Sequence, residues 1–151
     1  MYKVLTIDGK DYKLEYSIEA SLYSDCVENM SLMMSDLLNG LDAKQAIRGV
    51  SNIPATTLTI FYAGLLEHHG PASEEKNVPF VANAKELAKK YLLSNDLTWY
   101  DLLRTCFEQM AEDGFFKLTG LEKLLVPEKT EEKPKVVPKD HQKSARASKS
   151  K

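Results

Sequence analysis

The stretch "YKVLTIDGKDYKLEYSIEASLYSD", residues 2–25, decides the fold class, because its hydrophobic period changes partway through. Up to Tyr16 the residues alternate. Tyr12, Leu14 and Tyr16 fall on one side of an extended segment, with Lys13 and Glu15 on the other. "YKVLTI" and "DYKLEY" are rich in aromatic and β-branched residues, and Asp8-Gly9 between them supplies the positive φ angles of a tight primed turn. Residues 1–16 therefore read as a β-hairpin. A lone hairpin is marginal in water, so its apolar face has to dock on helices. From Ser17 the period becomes helical, with Ser17 as the expected N-cap and Glu19 in the first turn. Ile18, Leu22, Cys26 and Met30 recur at steps of four and predict one buried stripe.

Outward from there, nearly everything is helical. The pattern loosens around Asn29, where a break is expected, with Ser31 capping a second piece that stops at Gly40. Asp42 starts a short helix through "AKQAIRGV" that closes at Asn52. "IPATTLTIFYAGLLEHHG" predicts a central apolar helix from Pro54 to Gly70, with Leu58, Phe61, Tyr62 and Leu65 on its face and Ile60 and Leu66 extending it. Its threonines and Ile60 leave a strand open over "TLTIFY". "GPASEEKNVP" reads as a loop. Two more helices follow, "FVANAKELAKKYLLSN" and "LTWYDLLRTCFEQMAEDGFF", the second ended by Gly114, and "KLTGLEKLLV" adds a final short turn or helix. The fold class is mainly α: a small helical domain over residues 1–126 with an N-terminal hairpin.

Composition bounds the function. Residues 1–126 carry 12 Lys+Arg against 18 Asp+Glu, a net of −6, and residues 127–151 carry 8 against 4, a net of +4. An acidic body is a poor partner for nucleic acid. The last 25 residues have too little apolar surface to offset the entropy of ordering and read as a disordered tail. Counterion release could still tie that tail to nucleic acid, although it has no aromatic residue for base stacking. Cys26 and Cys106 lie 80 residues apart without CxxC spacing and read as reduced, buried thiols. "MYKVLTIDGK" has no basic start followed by an apolar run, so it is not read as a signal peptide, and no apolar stretch is long enough for a membrane span.

Chemistry is hard to place. Glu67, His68 and His69 lack HExxH spacing, and adjacent helical residues point apart, so the histidines are read as partners of the helix C-terminal dipole. Asp11, Glu15, Glu74 and Glu75 read as solvated carboxylates. There is no Gly-rich phosphate loop and no nucleophile elbow. No catalytic residue, cofactor or metal is expected. The chain reads as a binding protein rather than an enzyme.

Partner surface is the remaining class. Met30, Met33 and Met34, with Leu32 and Leu37 to either side, span more of a helix than one seam needs. Methionine suits both irregular cores and adaptable interfaces, so the residues leave core and partner surface open. Tyr100, Phe115 and Phe116 are further candidates: Trp99 at helical spacing from Leu103 and Phe107 goes to the core, while two consecutive phenylalanines cannot face one core from a helix.

The order of these pieces resembles the tail assembly chaperones of long-tailed bacteriophages and prophages. The resemblance rests on "YKVLTIDGKDYKLEYSIEASLYSD", then "MSLMMSDLLNG", then "FYAGLLEHH" and "DLTWYDLLRTCFEQMAEDGFF", over roughly residues 2–120. It implies a non-enzymatic, mainly helical protein of the host cytoplasm that binds and solubilises the tape-measure protein and is absent from the finished virion. It further implies weak self-association, and recruitment of tail-tube protein through a longer frameshifted form of which this chain is the short one. A small head–tail or tail adaptor is the alternative, followed by a nucleic-acid-associated regulator using residues 127–151.

Overall fold

The computed structural model describes residues 1–40 and 43–125, and within this span the side chains of 37–39, 43–48, 124 and 125 are not described. The expectations for residues 127–151 and for the Leu37 side chain lie outside the described residues.

The hairpin forms as its alternation dictates. Strand β1 (Lys3–Ile7) pairs antiparallel with β2 (Lys10–Leu14). Ile7 stands opposite Lys10 across a two-residue turn in which Asp8 and Gly9 have φ of 51° and 75°. Both central residues at positive φ make the primed turn that matches strand twist. Leu5, Ile7, Leu14 and Tyr16 are buried beneath the hairpin, while Val4 and Thr6 face out.

The helices follow as α1 (Ile18–Leu22), α2 (Ser24–Asn39), α3 (Ala43–His69), α4 (Val81–Asn95), α5 (Trp99–Glu112), α6 (Phe115–Leu118) and α7 (Glu122–Leu125). The α3 helix is the axis of the core: Ile60, Phe61, Ala63 and Leu65 are buried, and α1, α2, α4, α5 and β2 all pack on it. From α4 come Ala84, Ala88 and Leu92, and from α5 come Leu102, Leu103, Cys106 and Met110. "TLTIFY" is helix, because tertiary burial around α3 outweighs the modest propensity cost of its β-branched residues.

Four local expectations are corrected. Ser17 does not cap α1 through its side chain; its hydroxyl donates to the Glu67 carboxylate on α3. The break falls at Tyr23 (φ −79°, ψ 94°), not at Asn29, whose side chain donates to the Asp25 carbonyl within an unbroken α2. That extended residue re-aims the chain, so the four-step stripe is split. Cys26 and Met30 are buried, whereas Ile18 and Leu22 stand 62% and 72% exposed. Finally, no break occurs at Asn52: α3 runs through Pro54. Proline removes the bond to the carbonyl four residues back. Here that residue is Val50, on an exposed stretch where water can take the orphaned acceptor.

Two expected stops hold. Gly40 ends α2 at φ 71°, and Gly114 follows α5 at φ 70°. The start of α5 adds a capping box: Thr98 Oγ1 accepts from the Asp101 N–H, and the Asp101 carboxylate accepts from the Thr98 N–H.

Candidate functional site

Two concave regions stand out, of opposite character. The first, of about 360 Å³, lies where the end of α3 meets β2 and the following loop, and includes Lys13, Glu67, His68, His69, Glu74 and Glu75. Several of its polar groups hold the fold. His69 Nε2 accepts the Lys13 main-chain N–H at 2.8 Å. That N–H can only donate, so Nδ1 carries the ring proton and gives it to Asn77 Oδ1 at 2.9 Å; the reverse amide orientation would leave that proton facing a donor. Burial holds the His69 pKa below its ordinary value, against the Asn77 hydrogen bond and the Glu75 carboxylate, which pull it up, and with smaller help from His68 and Lys10. His68 bonds Glu15, and Ser17 bonds Glu67. Glu15, read as a solvated carboxylate, is thus a partner of α3, and both histidines latch the hairpin to α3 in addition to sitting at its negative end.

Among the described residues no group of three His, Cys, Asp or Glu side chains is placed to hold a metal ion. The two thiols are buried, and burial pushes both Cys26 and Cys106 up to about 12, far from the thiolate a nucleophile needs at neutral pH. Among the described residues no helix is long and apolar enough to cross a membrane.

The second region is an open groove across α1 and α2, of about 590 Å³, lined by Leu22, Val27, Leu32, Glu28 and three serines. The chain break at Tyr23 creates it. By turning between two helices, the backbone buries Cys26 and Met30 and leaves Leu22 and Leu32 72% and 58% exposed. Ile18, one turn before Leu22, prolongs the apolar surface along α1. The groove thus sets exposed apolar side chains from two helices side by side.

The partner residues expected from sequence divide cleanly. Met30 and Met34 are core, at 0% and 3% exposure, and so is Phe115, edge-on to the Tyr16 ring at 5.6 Å. For these three the partner-surface reading is corrected: α2 turns Met30 and Met34, and α6 turns Phe115, into the body, which leaves them no surface to offer. Met33 is half-buried against that core, and Phe116 is half-buried and stacked on Phe107 at 6.3 Å. Leu32 is exposed and lines the groove, and Tyr100 is exposed on α5. Leu22, which the four-step spacing predicts in the buried stripe, lines the groove instead. The available signal was "YSD" at 23–25, a serine and an aspartate in position to restart a helix.

Comparison with family models, with curated proteins and with solved structures gives no match for this chain.

Proposed function

We propose that the chain is a phage tail assembly chaperone of the short type, which binds and solubilises the tape-measure protein in the host cytoplasm and leaves before the virion is complete. The observation that carries this reading is the apolar groove of α1 and α2, with Leu22 and Leu32 exposed beside Val27. An open apolar groove between two helices suits the apolar face of a helix from a long partner, read through residues three and four apart. A partner with many such faces is held by repeated shallow contacts, whose combined strength exceeds any one of them and which are released one at a time. The mainly helical domain with its hairpin is in keeping with the architecture the resemblance implies. Contacts to tail-tube protein belong, in this reading, to a longer form, and the chain performs no chemistry of its own.

Co-expression with the tape-measure candidate encoded nearby is the test. Partner that is soluble and co-purifies only when this chain is present is the expected result. Partner that stays insoluble, or stable retention of this chain in purified virions, overturns the proposal, the latter in favour of the adaptor reading.

A further inference from the structure

Among the described residues, the one charged residue that lines the groove is acidic, Glu28, and the two helices that form it are acidic in sequence. Residues 17–40 hold Glu19, Asp25, Glu28 and Asp36 and no lysine or arginine. An occupant therefore needs apolar side chains to cover Leu22, Val27 and Leu32, and basic ones to answer the carboxylates. This chain contains such a segment. Within the basic residues 127–151, "KPKVVPK" at 133–139 sets Val136 and Val137 among Lys133, Lys135 and Lys139.

The connection has the reach. The described chain ends in α7, which packs against α2. The eleven residues from Leu125 to Val136 extend over as much as ~36 Å. The sixteen residues of α2 are only ~24 Å long. Val136 can thus be brought to any point along α2, including the groove near its start.

We propose that residues 133–139 of the same chain dock in this groove, with Val136 and Val137 against Leu22, Val27 and Leu32 and the lysines toward Glu28 and the neighbouring carboxylates. Tethering by a short linker gives an effective concentration in the millimolar range, so weak contacts suffice to keep the groove covered. Covering the exposed leucines limits adventitious association of the free protein. Its regulatory consequence rests on the chaperone reading: the tail is an internal competitor that a partner with several apolar faces displaces. Salt weakens the docking, because the charged contacts lie at the surface.

Photo-crosslinking of the full-length protein alone tests the docking. With p-benzoylphenylalanine in place of the exposed Leu32, the expected product is an internally crosslinked monomer whose new bond maps to residues 133–139. Its yield falls severalfold in molar salt and in K133E/K135E/K139E, with the melting temperature unchanged. Crosslinked dimers would put a second copy in the groove and overturn the proposal, as would crosslinks that never reach the tail. No partner is present, so the result is independent of the chaperone reading. An internal crosslink with no solubilised tape measure leaves the docking standing and removes that reading; solubilised partner with no internal crosslink does the reverse.

Discussion

His69, at the end of the central helix, accepts the main-chain N–H of Lys13 on the second strand at 2.8 Å. The imidazole thus serves as the hydrogen-bond acceptor that a neighbouring strand would otherwise supply, and it closes that edge of the hairpin. The contact works only while Nε2 is unprotonated. Since the folded pKa lies below the ordinary 6.5, the unfolded chain binds more protons than the folded one as pH drops below that value. Stability therefore rises with pH through this window and is lost as pH falls from about 6.5 toward the lower folded value. Thermal melts should show a flat region above neutrality and a declining midpoint below it. In His69→Gln, whose side chain can still accept but not titrate, that part of the slope should vanish. His69→Ala leaves the Lys13 N–H without a partner and should cost about 1–3 kcal/mol at neutral pH.

Gly64 makes the companion contact one helical turn and more before His69. Its carbonyl accepts the Glu15 N–H at 2.8 Å, and a Cβ at this position would overlap the Leu14 side chain and stand 2.8 Å from the Tyr16 ring. Two effects oppose each other in Gly64→Ala. Helix propensity favours alanine by roughly 1 kcal/mol. Overpacking of a filled core costs about 1–3 kcal/mol. Leu14 and Tyr16 are both fully buried and have nowhere to retreat, so overpacking should win. Urea unfolding should show a lower midpoint with an unchanged slope, and Gly64→Val should be worse.

Tyr16 joins three parts of the molecule. Its hydroxyl donates to the Ile60 carbonyl at 3.0 Å, its N–H donates to the Asp113 carboxylate at 2.8 Å, and its ring meets Phe115. Tyr16→Phe removes the hydroxyl alone and leaves a carbonyl that already has its helical partner, so the loss should be about 1 kcal/mol. Asp113→Ala should cost more. It leaves the Tyr16 N–H unsatisfied and also strips the chain's first amino group and Gln109 of their shared acceptor. Comparing chemical denaturation of the two variants ranks the junctions.

Much of this fold was legible because its signals are local. Asp8-Gly9 and the period-two pattern specify the hairpin, and Gly40 and Gly114 end their helices through positive φ. What escaped was tertiary. Pro54 looks like a helix start because its missing N–H is harmless there, yet it sits inside α3, where an exposed Val50 lets water reach the carbonyl left without its helical bond. The Ile18–Met30 stripe has ideal spacing, but spacing cannot register that Tyr23 is extended. The same residue hid the groove, since Leu22 at a perfect helical step from Cys26 reads as core until the helix is cut between them. The place of the histidines at the end of a helix was legible but not their role as latches, because their partners Glu15 and Lys13 lie more than fifty residues away.

The α2 helix carries both core and partner candidates, and substitution should separate them. Met30→Ser with Met34→Ser removes two buried side chains and leaves polar groups in their place, which should cost at least about 4 kcal/mol and unfold a domain of ordinary stability. Leu22→Ser with Leu32→Ser removes apolar surface that already faces water, so the melting temperature should move little. If the groove holds the tape measure, that second pair should abolish co-purification of soluble partner from a folded, monodisperse chain. Circular dichroism must accompany the co-expression assay, because lost binding from an unfolded protein says nothing about the groove. A folded L22S/L32S variant that still solubilises the partner would move the binding surface elsewhere. Exposed Tyr100 on α5 would then be the next residue to replace.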